Sequence, residues 1–207
     1  MTSGARVVAA GAWHPRGVNR FVLIASLAAV GFALAACGSS APSNLEGSDD
    51  ACAEPVRARV TEVLDGDTFE VELLEGEIPG VEGTTRVRAI GIDTPEVDHN
   101  GGTDHDCWGL AAWEAAIDEL EGREVWLSFD RECTDTYDRT LAYVFRSDGL
   151  FWNLFAIERG HGRHCPFGAP AHFDEEFAAA EEQALLGEVG RWGDPCWGGV
   201  GCFAGGR

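Results

Sequence analysis

Lysine is absent from this 207-residue chain, and positive charge of any kind is scarce: 15 arginines face 35 acidic residues, for a net charge of −20. So acidic a surface excludes loose electrostatic association with nucleic acid, because phosphates are repelled wherever they lie beyond a specific site. It does not exclude a locally positive site, since salt screens distant charges over about 8–10 Å. A comfortable membrane span is missing too: the apolar run at residues 21–36 has 16 residues, where about 20 are needed. No cysteine pair has Cys-x2-Cys spacing with a matching partner pair, which argues against a structural zinc site. Finally, residues 1–20 hold Arg6, Arg16 and Arg20 but no acid.

What is present at the N-terminus follows from that last absence. Basic residues, an apolar run and the small residues of Leu34-Ala35-Ala36-Cys37 have the form of a secretory signal, and the stretch resembles a bacterial lipoprotein lipobox. The resemblance implies a signal peptide at residues 1–36, cleavage before Cys37, a lipid on its thiol, and an extracytoplasmic chain anchored to the membrane. An ordinary signal peptide cut nearby would instead release a secreted chain. Removal of residues 1–36 takes away three arginines and no acid, so the charge becomes −23. Six cysteines then remain, Cys52, Cys107, Cys133, Cys165, Cys196 and Cys202. An even number in an exported chain reads as disulfides.

Residues 37–55 are rich in Ser, Gly, Ala and Asp and read as a flexible tether. Val56, Ala58 and Val60 then alternate with Arg57 and Arg59, the period of a half-buried strand. Phe69, Val71 and Leu73 repeat it. An acidic, Gly-rich stretch at residues 75–85 reads as a hairpin loop, and residues 86–92 as a third strand. Leu110, Trp113, Ile117 and Leu120 make an apolar helical stripe. Val125, Leu127 and Phe129 suggest a fourth strand; Leu141, Tyr143 and Phe145 suggest a fifth. Residues 153–159 suit a short helix ended by Gly160. Phe173, Phe177, Ala180 and Ala184 suit a last one, with Glu175 and Glu176 in its first turn. The folded domain is expected at residues 56–193, with a Gly- and Cys-rich tail at 194–207.

The chemistry concentrates where an apolar run ends in acids, at Ile92-Asp93-Thr94-Pro95-Glu96. Arg88 lies five residues before Asp93, on what reads as one strand. Asp65-Gly66-Asp67-Thr68 precedes it and Tyr137-Asp138-Arg139 follows. Carboxylates with arginines suit a hard cation and a phosphate together. Each piece has a plainer reading: a tight turn, a structural Arg88–Glu96 ion pair, a solvated Arg139.

Taken together these motifs resemble the staphylococcal (micrococcal) nuclease, or thermonuclease, family. The likeness runs over residues 56–193, through Thr134-Asp135-Thr136-Tyr137-Asp138-Arg139-Thr140-Leu141-Ala142-Tyr143 to Gly190-Arg191-Trp192. It implies an α+β fold, a five-stranded OB-type barrel packed with three helices. It implies a monomeric hydrolase that cleaves phosphodiester bonds of DNA and RNA and leaves 3′-phosphate ends. By the same resemblance Asp67, Asp93 and the Thr94 carbonyl hold Ca²⁺, Glu96 is the general base, and Arg88 and Arg139 bind phosphate oxygens. Tyr137 and Phe167 would line the nucleotide pocket. Three departures weaken that pocket: Thr136 replaces a lysine, Asp138 a glycine, and Pro166 beside Phe167 stands where the family offers an aromatic. Asp98, His99, Asp104, His105 and Asp106 could hold a second metal or be only a solvated acidic loop. In such a fold Cys107–Cys133 is a plausible bridge, Cys196–Cys202 a local one, and Cys52–Cys165 the remainder. The rival reading is a non-catalytic OB-fold module on the cell surface, binding nucleic acid or protein.

Overall fold

The computed structural model describes residues 40–101, 105–166, 171–193 and 195–196. Seven strands and three helices follow in the order β1 (Val56–Val63), β2 (Thr68–Glu75), β3 (Thr84–Ala89), β4 (Ile92–Asp93), α1 (Gly109–Leu120), β5 (Glu124–Ser128), β6 (Thr140–Arg146), α2 (Trp152–Glu158), β7 (Arg163–His164) and α3 (Asp174–Leu186), with a 3₁₀ turn at Gly190–Trp192. Five strands close a barrel in the order β1-β2-β3-β6-β5, and β5 pairs back onto β1. Only β3 and β6 run parallel in it. This is the expected five-stranded barrel with three helices. Register shifts in β1, between Arg57 and Ala58 and between Val60 and Glu62, are bulges of the kind that bend a strand enough for closure.

The barrel interior follows the alternation. Val56, Ala58, Val60, Phe69, Val71, Val87, Val125 and Leu127 are buried, while Arg57 and Arg59 face outward. On β6, Ala142, Tyr143, Val144 and Phe145 are all buried, because an aromatic cluster covers its second face. There Phe145 stacks on Phe151 at 4.3 Å and Tyr143 meets Phe173 edge-on at 4.7 Å. Phe177 on α3 joins the same cluster, which seats α3 over the barrel. The Tyr143 hydroxyl donates to Asp130 Oδ2 at 2.8 Å, so its polar end is satisfied inside.

Several expectations need correction. The third strand does not run on to residue 92; it stops at Ala89, and Ile92–Asp93 pairs instead with Arg163–His164. Gly91 lies between, at φ +75°, a left-handed conformation that a side chain strains. In α1 the buried face is Gly109, Ala112, Ala116 and Leu120, and Leu110 is 42% exposed. Small residues let that helix approach the barrel closely, with Leu120 buried among them and Trp113 and Ile117 packing against the core from its flank. Trp113, for example, donates to the Val63 carbonyl at 2.9 Å.

The segment read as a flexible tether is bound to the barrel from Asn44 onward. Asn44 donates to the Gly149 carbonyl at 3.0 Å, Ser48 N to Phe129 O at 3.2 Å and Cys52 N to Asp130 O at 2.8 Å. This path carries Cys52 beside Cys133, and the two are disulfide-bonded with Cα atoms 5.6 Å apart. Cys107 pairs with Cys196, Cα atoms 5.5 Å apart. The expected Cys107–Cys133, Cys196–Cys202 and Cys52–Cys165 pairings are therefore wrong. Loop-closure entropy grows only slowly with loop length, so nearness in sequence is a poor guide to pairing. Cys165 is also disulfide-bonded and buried. Cys37, Asp104, Phe167 and Cys202 lie outside the described residues.

Candidate functional site

The break at Gly91 builds the site. A continuous strand would carry Asp93 about 16 Å from Arg88, at about 3.3 Å per residue. With the chain turned back, Arg88 Nη2 instead meets Asp93 Oδ1 at 3.1 Å. Arg88 Nη1 reaches Asp67 Oδ1 at 2.8 Å and donates to the Ile92 carbonyl at 2.8 Å. Asp67 enters from the turn between β1 and β2. Its Oδ2 accepts from Thr94 N at 2.7 Å and from the Thr94 hydroxyl at 3.1 Å. That turn lies tight against Thr94: a Cβ on Gly66 would meet the Thr94 side chain at 2.7 Å, so only glycine fits. Trp152 Nε1 donates to the Gly66 carbonyl at 3.0 Å and closes the turn from the α2 side.

Asp67, Arg88, Asp93 and Thr94 are thus one buried cluster, each 8% exposed or less. Glu96 stands at its open rim. Partial burial of the Glu96 carboxyl, then the negative charges of Asp67 and Asp93, push its pKa upward. Its backbone N–H donates to Asp106 Oδ2 at 3.3 Å. Asp65 is also raised, well above the carboxylate range, first by burial and then by repulsion from Asp67.

Arg139 and Tyr137 occupy the turn before β6, whose Leu141 pairs with Arg88. The turn is organised by Asp135, which accepts from the Tyr137 and Arg139 N–H groups, each at 2.9 Å, and from Arg139 Nε at 2.7 Å. Burial alone would raise the Asp135 carboxyl, but these donors outweigh it and hold its pKa below the usual range. Among the described residues, Arg139 has its ion pair with Asp135 and lies 5.5 Å from the Tyr137 ring. Tyr137 is 61% exposed. Asp138, where the family's glycine was expected, takes that left-handed conformation at φ +61°, which Asp tolerates better than most residues.

The donors at the cluster are hard oxygens: two carboxylates and the adjoining Thr94 carbonyl. They fit a hard divalent cation, with the remaining positions left to water and phosphate. A cation there would relieve the burial and repulsion that raise Asp65 and Glu96. No group of three or more His, Cys, Asp or Glu side chains is gathered as a metal cage among the described residues. His105 Nδ1 is engaged by the Asp98 N–H at 3.0 Å, in keeping with a loop that organises itself.

Trp152 escaped the sequence reading, while Asp65, Asp106 and Arg191 stood in it within motifs but without these contacts. Asp65 was legible in principle, because its Oδ1 accepts from Asp67 N at 2.9 Å, the usual Asx-turn bond two residues on. Trp152 and Arg191 arrive from distant elements, so nothing local marks their contacts with the site.

The family model for staphylococcal nuclease homologues matches residues 86–194. The chain is 38% identical over 104 residues to the thermonuclease of Staphylococcus intermedius, covering 50% of this chain and 56% of that one. To the thermonuclease of Staphylococcus hyicus it is 31% identical over 126 residues, 61% and 69% of the two chains. An endonuclease of Bacillus subtilis is 28% identical over 149 residues, 65% of this chain but 11% of that one. The alignment thus spans about half of the first of these relatives and a small part of the Bacillus protein. The family model takes in Arg88, Asp93, Thr94, Glu96 and Arg139 and the elements from within β3 onward, with β1, β2 and Asp67 ahead of it, and the chain belongs to the family of staphylococcal nuclease homologues.

Proposed function

We propose that the chain is a calcium-dependent nuclease that hydrolyses phosphodiester bonds of DNA and RNA and leaves 3′-phosphate ends. The observation that carries the reading is Glu96, a solvent-reaching carboxylate at the mouth of the cluster, its pKa raised by partial burial and then by Asp67 and Asp93. A base is more effective as its pKa approaches the working pH. Glu96 takes the proton of a water whose oxygen attacks phosphorus, and the bond to the 5′ oxygen breaks. Arg88 and Arg139 donate to the phosphoryl oxygens, where a planar fork matches two acceptors at once. Asp67, Asp93 and the Thr94 carbonyl would hold Ca²⁺, which when bound supplies positive charge to the developing oxyanion. Tyr137, exposed beside Arg139, offers its ring to the nucleotide. The protein works as a monomer.

The place of action is part of the same reading: an extracytoplasmic chain held to the membrane by a lipid at Cys37. The Cys52–Cys133 and Cys107–Cys196 bridges support it, since such bonds persist in oxidising compartments. The test incubates the oxidised protein with plasmid DNA and with RNA, in Ca²⁺ or in chelator, followed by end-group analysis. Cleavage in Ca²⁺ with 3′-phosphate ends is expected. Equal cleavage in chelator would overturn the calcium assignment, and no cleavage in either would overturn the nuclease reading.

A further inference from the structure

The backbone of residues 92–94 is held from three sides by groups far apart in sequence. Arg88 Nη1 donates to the Ile92 carbonyl at 2.8 Å. The Thr94 N–H donates to Asp67 Oδ2 at 2.7 Å. The third hold is Arg191, whose Nη1 donates to the Asp93 carbonyl at 3.4 Å. The single peptide plane between Asp93 and Thr94 is thereby clamped at both ends, its C=O by Arg191 and its N–H by Asp67.

Arg191 is delivered there by the 3₁₀ turn. Its own N–H donates to the Gly160 carbonyl at 2.9 Å, and its guanidinium lies 5.5 Å from the Trp192 ring. Just beyond the turn, Cys196 is bonded to Cys107, next to the Asp106 that holds the Glu96 N–H. Arg191 is 3% exposed. A guanidinium is costly to bury unless acceptors and negative charge meet it. Asp93 supplies both, a carbonyl in contact and a carboxylate close by, yet burial and then the Arg163 charge still hold the Arg191 pKa down, so these contacts offset the cost only in part.

We infer that Arg191 is a positioning residue for the cation site, setting where the Asp93 carboxylate and the Thr94 carbonyl stand by fixing the peptide between them. This rests on the nuclease reading above. Arg191 touches neither substrate nor the reacting atoms; it acts through Asp93. Residues that orient metal ligands typically cost about 10- to 100-fold in metal affinity when removed.

The test uses the oxidised protein with Arg191→Met and Arg191→Lys, and Ca²⁺ alone as the probe. Calorimetric Ca²⁺ affinity is measured beside thermal unfolding in chelator and nuclease activity across Ca²⁺ concentrations. Arg191→Met is expected to weaken Ca²⁺ binding by about tenfold, and Arg191→Lys, which keeps one donor, by about threefold. Activity should shift along the Ca²⁺ axis by the same factors and recover to within about twofold at saturating Ca²⁺. A merely structural arginine would lower the unfolding temperature in chelator and leave the affinity of the folded protein unchanged; that result overturns the inference. If Arg191→Met does not fold, Arg191→Lys decides alone, parental affinity overturning the role and a threefold loss supporting it. A parent protein that takes up no Ca²⁺ would overturn the calcium reading and the role with it, whereas uptake with equal affinity in parent and variants overturns the role alone.

Discussion

On the outer face of the barrel Arg57 bridges Glu75 and Glu124, Arg59 reaches Glu124, and Arg86 reaches Glu70. At the end of β3 Arg88 likewise bridges two carboxylates, Asp67 and Asp93. The residue types are the same and the physical settings are opposite. The outer pairs have at least one wet partner, with side-chain exposures from 18% to 67%, whereas Arg88 and its partners are 9% or less. Water screens the first group, so each pair is worth little. The second group is desolvated, and Asp65 and Glu96 add acid that Arg88 does not offset. A lattice of wet charge stabilises a surface modestly; a desolvated cluster of carboxylates has oxygen donors that suit a cation.

Removing Arg88 should break that contrast hardest. Arg88→Ala leaves two buried carboxylates without their bridge, with an expected loss of about 3–5 kcal/mol in denaturant unfolding. Turnover should fall at least about 10²-fold, as for loss of an oxyanion donor. Glu96→Gln separates the two roles. Turnover should drop by about 10²–10⁴, while unfolding in chelator is unchanged or improved, because a repelled charge has been removed. A Glu96→Gln protein as active as the parent would sink the general-base assignment.

Replacing Cys107 and Cys196 together by Ser should cost about 2–4 kcal/mol in unfolding free energy. It should also reduce activity, since that bridge ties the Glu96 loop to the turn carrying Arg191. Unaltered activity would show that the loop holds its place without the bridge.

Asp65 sharpens the comparison through pH. Its folded pKa is raised, so its contribution to stability is fully present below the unfolded value of about 4 and is lost as pH rises through the folded value. In chelator, the parent should therefore lose stability relative to Asp65→Asn from about pH 4 upward; parallel curves would contradict the buried repulsion. The smallest effect belongs to the outer face. Arg59→Ala should change stability by less than about 1 kcal/mol and leave activity as it was.

Much of this was legible beforehand, for local reasons. Val56, Ala58 and Val60 alternate because one face of β1 fills the barrel, so the strand can be read from residue types alone. Asp67, Glu96 and Arg139 sit in turns or loops and Asp93 at the end of the short strand β4, and their spacing carried the family resemblance. The helical stripe on α1 was legible in part: Leu120 is buried and Trp113 and Ile117 pack against the core, but Leu110 stays exposed and Ala112 and Ala116 share the buried face. Periodicity rewards large apolar residues, but close packing needs small ones.

The amino-acid sequence by itself determined the order of the five barrel strands and the three helices, and the acidic balance. These depend on neighbours a few positions away. Tertiary structure alone decided that Gly91 turns Asp93 back onto Arg88, that residues 44–52 lie along the barrel, that Cys52 meets Cys133 and Cys107 meets Cys196, and that Arg191 ends beneath Asp93. Each of these joins chain segments brought together only by the collective packing of the barrel and its helices. Once the closing entropy of a long loop differs little from that of a short one, no local pattern can mark which distant partner will be met.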